Sequence, residues 1–159
     1  MAIVLVASCF AVPAFAVEDN AEETTVSQLG DPIYLLDGCC IIIEPTVRSL
    51  TRGSMLELSR TATVYNEDME KTCSLTLKAI FLVNSNNTIT CISSLYDTNV
   101  YLNGWAVEEP SSTCSDHGTY SVATATALAR KRVLGILVKN VRLTVGIKAY
   151  SDGSYEYNP

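Results

Sequence analysis

The four residues Cys114-Ser115-Asp116-His117 hold the single histidine of the chain, with a thiol and a carboxylate beside it. A cysteine nucleophile needs a base within hydrogen-bond reach, and that base needs an orienting partner. All three group types are present, but crowded into one short stretch. Catalytic triads draw their members from separated segments that converge in space. Pro110-Ser111-Ser112-Thr113 before the stretch and Gly118 after it mark a loop. The residues therefore read as a polar loop, with a thiol-dependent enzyme around Cys114 and His117 as the alternative. The chain is expected to be non-enzymatic, with no catalytic residues assigned.

A second chemistry is aromatic. Trp105, with Tyr96 and Tyr101 nearby and Asn103-Gly104 beside it, has the makings of a platform for a sugar ring. A carbohydrate-binding module using these three rings is an alternative function. The competing reading is a core tryptophan between two sheets, since Trp is highly buried on average. Arg130-Lys131-Arg132 is the one basic cluster, lies between two apolar runs, and reads as a solvated turn. Asp97-Thr98-Asn99 and Asp152-Gly153 offer oxygen ligands, but neither has the terminal glutamate of a calcium loop, and both read as turns. Zinc sites pair their ligands at short spacing, as in C-x-x-C, and that spacing is missing here. No cofactor and no metal are expected. Asn86-Asn87-Thr88 is a glycosylation sequon, relevant only in a eukaryotic secretory pathway.

Length and charge narrow the partners. With 159 residues the chain is long enough for one domain and short for two. Lys+Arg 11 against Asp+Glu 17 gives a formal net charge of -6. Nucleic-acid binding needs a positive surface, so it is not expected. An anionic membrane would repel such a chain overall, and stable membrane insertion is not expected.

Residues 1–16 carry no charged side chain. An apolar stretch from Ile3 to Val12 is broken by Pro13, and Ala14-Phe15-Ala16 is a small-x-small site for a signal peptidase. The acidic run Glu18-Asp19-Asn20-Ala21-Glu22-Glu23 follows at once. The segment reads as a signal peptide cleaved near Ala16, its usual basic opening shortened. It is too short for a stable transmembrane helix. Val6-Ala7-Ser8-Cys9 fits a lipobox loosely, but the apolar Phe10–Ala16 after it is not a tether. Residues 17–32 read as a flexible acidic leader and 33–159 as the folded domain, extracellular or cell-wall associated.

Cleavage removes one of the six cysteines, Cys9, and leaves Cys39, Cys40, Cys73, Cys91 and Cys114. Export permits disulfides. The odd number leaves at least one thiol free or paired between molecules. The pairing is open. A hairpin turning near Ser85-Asn86 would set Cys91 opposite Ile80 and not opposite Cys73.

From Ile33 onward the hydrophobic period is two, as in half-buried strands. Val141, Leu143, Val145, Ile147 and Ala149 share one face, and Arg142, Thr144, Lys148 and Tyr150 the other. Asp152-Gly153 then predicts a hairpin turn with positive φ at both central positions, and Tyr155-Glu156-Tyr157 resumes the strand. Leu75, Leu77, Ala79, Phe81 and Val83 align in the same way, with a return strand over Thr88–Leu95 after Asn84-Ser85-Asn86-Asn87. Leu56, Leu58, Ala62 and Val64 mark an earlier strand. Val100, Leu102, Gly104 and Ala106 mark another, stopped at Glu108-Glu109-Pro110. Tyr120–Ala129 has the alanines of a helix, but its alternating Thr and Val favour a strand. Val133–Val138 reads as a strand or a single helical turn. Together these give an all-β fold, a single antiparallel sandwich of about seven short strands, Ig-like as one option.

The stretches AIVLVASCFAVPAFA, GTYSVATATALA and VRLTVGIKAYSDG resemble those of short exported β-sandwich proteins of Gram-positive bacteria, which mostly carry no assigned activity. The uncharged start and the cysteine-rich middle depart from that style. The resemblance implies a secreted or wall-associated, non-enzymatic domain acting through its surface, in adhesion, wall contact or assembly. Its partner is an unidentified protein or a cell-wall glycan.

Overall fold

A computed structural model of the chain describes residues 30–36, 38–44, 47–49 and 54–158. Residues 1–16, expected as a signal peptide, and residues 17–29 of the expected leader lie outside the described residues. The strands are β1 (Ile33–Tyr34), β2 (Cys40–Ile43), β3 (Val47–Ser49), β4 (Met55–Tyr65), β5 (Lys71–Val83), β6 (Ile89–Val100), β7 (Trp105–Asp116), β8 (Tyr120–Val133), β9 (Ile136–Tyr150) and β10 (Tyr155–Asn158). They form two antiparallel sheets. One runs β1-β2-β4-β5-β6 with β3 also on β4, and the other runs β10-β9-β8-β7. The fold is the expected all-β sandwich. Two details differ. The strands are more numerous and longer, β8 and β9 having 14 and 15 residues. Chain neighbours pair as a meander, whereas an Ig-like sandwich needs Greek-key connections, so that arrangement is not the one found.

The core follows from side-chain alternation. Leu75, Leu77, Ala79 and Phe81 of β5 and Leu143, Val145, Ile147 and Ala149 of β9 are all buried. So are Ala123, Ala125, Ala127 and Ala129, the inner face of β8. This explains the alanine-rich stretch: β5 packs on β8, and the small alanines leave room for the leucines and Phe81 opposite. The stretch is strand throughout. Arg60 takes an inner position of β4 between Leu58 and Ala62 and is buried. Its Nη1 donates to the Gly146 carbonyl at 3.0 Å, tying β4 to β9 of the other sheet.

Several expected boundaries move. Leu102 and Gly104 lie in a turn between β6 and β7, not in a strand. Gly104 has φ 82°, and a Cβ there would stand 2.9 Å from the Arg132 carbonyl, so close backbone approach requires glycine. β7 does not stop at Glu108-Glu109-Pro110. The register shifts between Glu108 and Ser111, with Glu109 at φ 53°, and this bulge absorbs the proline. At the Asp152 turn only Gly153 has positive φ. Asp152 Oδ1 instead accepts from the Ser154 amide at 2.8 Å. Cys91 pairs with Phe81, not Ile80, because β6 is bulged there; Cys73 pairs with Val100.

The two sheets are sewn together along β6 and β7, which share no ladder. Cys91 and Cys114 form a disulfide across the seam. Ser112 Oγ donates to the Ser94 carbonyl at 2.9 Å, and the Cys91 amide donates to Asp116 Oδ1 at 2.8 Å. The opposite side is different. β10 covers β9 only from Gly146 to Ala149. The rest of that edge carries a register shift near Val138 and the charges of Lys139 and Arg142, devices that discourage edge-to-edge pairing.

Candidate functional site

The β8–β9 hairpin carries the most unusual surface among the described residues. Val133 pairs with Ile136, so Leu134-Gly135 is a two-residue turn. Leu134 has φ 51° and Gly135 φ 81°, the positive pair that marks a type I′ turn. The Val133–Val138 run, expected as strand or helical turn, is therefore a hairpin tip. Such a turn favours Asn or Asp before Gly, because L residues with long side chains are strained at positive φ. Here that position holds leucine, 97% exposed. Ile136 is 69% exposed, and Val133, Leu137 and Val138 are each about half exposed.

The hairpin's pairing puts apolar groups on both faces of the ribbon. Val133 and Ile136 continue the inner row of β8. Leu137 pairs with Arg132 in the outer row. Leu134 forms the apex. Cations follow directly below: Arg130, Lys131 and Arg132 on β8, Lys139 and Arg142 on β9. Lys131 and Lys139 are cross-strand partners on the inner row. Like charges set opposite one another repel. They line a cleft of about 320 Å³ together with Val138, Cys39, Glu67 and Asp68. Lys139 Nζ also sits 5.9 Å from the centre of the Trp105 ring.

On the outer row Glu108 of β7 receives hydrogen bonds from both Arg130 and Arg132. Arg130 also reaches Glu109 at 3.3 Å. The bond from Arg132, seconded by that from Arg130, holds the Glu108 carboxyl below its ordinary value. The basic cluster is thus not merely a solvated turn. It is an ordered collar around the stem of the hairpin.

The sequence-predicted candidates are dispersed. Trp105 is 7% exposed and belongs to the hydrophobic core. Tyr96 and Tyr101 are about half exposed, and the Tyr101 hydroxyl lies 3.2 Å from Ser74 Oγ. No ring contact joins the three among the described residues. Cys114 is bonded to Cys91 and presents no thiol. His117 stacks on Tyr120 with centroids 4.7 Å apart, and Asp116 is engaged by the Cys91 amide. These groups serve the seam and its end. Asp97 faces Lys78 at 3.6 Å on an exposed strand. Cys39, Cys40 and Cys73 are buried thiols. Burial pushes the Cys40 and Cys73 thiols up, the charge of Cys39 adding to the effect at Cys40. Cys40 Sγ rests 3.8 Å from Met69 Sδ.

The tip residues Val133, Leu134, Ile136, Leu137 and Val138 were not singled out by sequence reasoning. The available signal was Leu-Gly at the centre of an apolar run bounded by Lys and Arg on both sides. No helix among the described residues is long and apolar enough to cross a membrane. No family model matches the chain, and no curated protein or solved structure matches it.

Proposed function

We propose that the protein is an exported, non-enzymatic domain, extracellular or wall-associated, that works by surface contact in adhesion, wall contact or assembly. The contact surface is the β8–β9 hairpin end. Leu134 carries the reading. At a position where asparagine would suit both the turn and the solvent, the chain keeps a strained, almost fully exposed leucine. Local rules broken without a gain in stability mark positions held for another purpose. The four apolar neighbours extend the same surface. The apolar-to-acidic switch at residues 16–23 and the resemblance to exported Gram-positive sandwiches support the location.

Retention on intact Gram-positive cells tests this. Wild-type protein is expected to be retained, and Leu134→Asn with Ile136→Ser to be washed off while keeping its β-sheet circular dichroism. Equal retention of the two forms, or no binding of either by cells, wall sacculi and lipid vesicles alike, refutes the reading.

A further inference from the structure

We propose that the β8–β9 tip docks reversibly into the surface of a lipid bilayer carrying anionic headgroups. The inference rests on the hairpin end being the contact surface and names what it contacts.

The shape argues for lipid. A flat protein interface covers one apolar face of a ribbon and leaves the other to water. Here both faces of the ribbon and its apex are apolar, with no polar side chain from Val133 to Val138. Such a wedge is fully accommodated only when its surroundings are apolar on all sides. The tight turn helps, because the Val133–Ile136 pairing closes the ladder up to the last residue pair. Few backbone groups then enter the apolar phase without partners. From Arg132 to the apex the chain rises roughly 7 Å, within the depth of about 5–10 Å at which interfacial segments bury their apolar face.

Charge argues for anionic headgroups. The protein as a whole is at -6, yet Arg130, Lys131, Arg132, Lys139 and Arg142, five of its eleven cations, lie between residues 130 and 142 with no acid among them. Glu108 and Glu109 neutralise part of this charge at Arg130 and Arg132, and Glu67 and Asp68 share the cleft with Lys131 and Lys139. Lys131 and Lys139 line the cleft and form the inner-row pair next below the apolar tip. Long basic side chains there reach phosphates while their methylene stems cover apolar surface. The repulsion expected from net charge acts at long range and is screened beyond about 8 Å at physiological salt, so the local collar decides the contact.

The test is co-sedimentation of the full chain with phosphatidylcholine vesicles and with vesicles containing phosphatidylglycerol, for wild type, Leu134→Asp and Leu134→Trp. Wild type is expected to bind the anionic vesicles at least tenfold more tightly than the neutral ones, and raised salt to weaken binding. Leu134→Asp is expected to lose at least tenfold, a comparison in which residues 1–16 are common to both proteins. The Leu134→Trp indole is expected to shift its emission to the blue on vesicle addition, against the constant background of buried Trp105. No binding by wild type, or equal binding by Leu134→Asp, overturns the proposal. If vesicles fail while intact cells or purified peptidoglycan sacculi retain wild type and not Leu134→Asn, the partner is a wall component. The contact-surface reading then stands and the lipid inference falls. If cells, sacculi and vesicles all fail, both fall.

Discussion

Removing the Cys91–Cys114 disulfide should loosen the sandwich along one side. The bond joins β6 to β7 where the sheets share no ladder, and the remaining ties are single hydrogen bonds. The closed loop spans a sequence separation of 23. On the chain-entropy account a loop of that length restrains the unfolded state by about 3.4 kcal/mol. Cys91 is half-buried and Cys114 exposed, so replacing both with alanine adds little packing loss. A urea slope of ordinary size converts this into a midpoint lower by roughly 1–3 M. The assay is equilibrium urea unfolding of wild type, of wild type with reductant, and of Cys91→Ala/Cys114→Ala, followed by Trp105 fluorescence. Reduced wild type and the double variant should coincide. A midpoint unchanged by reduction, with no thiols gained on reduction under denaturing conditions, would refute the seam as drawn here.

Three further outcomes follow from the geometry. Trp105→Ala should cost about 3–5 kcal/mol of stability, the usual range for a buried aromatic, and wild-type Trp105 emission should resist quenching by acrylamide. Glu108 has a depressed folded-state pKa, so its contribution is present above the usual carboxylate range and lost as pH falls through and below it. Melting temperatures of wild type and Glu108→Gln should therefore differ at neutral pH and converge below about pH 4. Ser121 is buried, with Oγ 2.9 Å from the Ile89 carbonyl and 2.5 Å from Asp116 Oδ1. Ser121→Ala should cost about 1–3 kcal/mol in chemical denaturation, as expected when a buried acceptor loses its donor.

The fold was readable wherever one face is apolar and the other is not. β5 and β9 alternate so regularly that every inward residue from Leu75 to Phe81 and from Val141 to Ala149 could be named, and the structure buries each one. Tyr120–Ala129 was harder because alanine is small enough for either element, and only the packing of β8 on β5 explains the choice. What periodicity could not supply was anything set by a bulge. Pro110 looked like the end of a strand because a regular ladder excludes it, and the one extra residue that lets β7 continue leaves no mark in the pattern. The site was less legible than the fold. Trp105 and Tyr101 are close in sequence, but the turn at Leu102–Gly104 sends one into the core and leaves the other half exposed. The apolar run at Val133–Val138 reads as a strand or a helical turn, and its exposure is hidden because periodicity gives no account of which apolar residues find no neighbour. Likewise Cys114 beside His117 reads as part of a polar loop, with a nucleophile as the alternative, whereas the structure sets it in β7 and bonds it to Cys91 where β6 and β7 meet.

Whether Leu134 is kept for contact or for structure is decided most directly by the equilibrium stability of Leu134→Asn. Asparagine relieves the positive-φ strain and removes no buried surface, so the variant should be as stable as wild type or more stable by about 1 kcal/mol. A loss of more than about 1 kcal/mol would show that the leucine supports the fold, in contradiction of a tip reserved for an external surface.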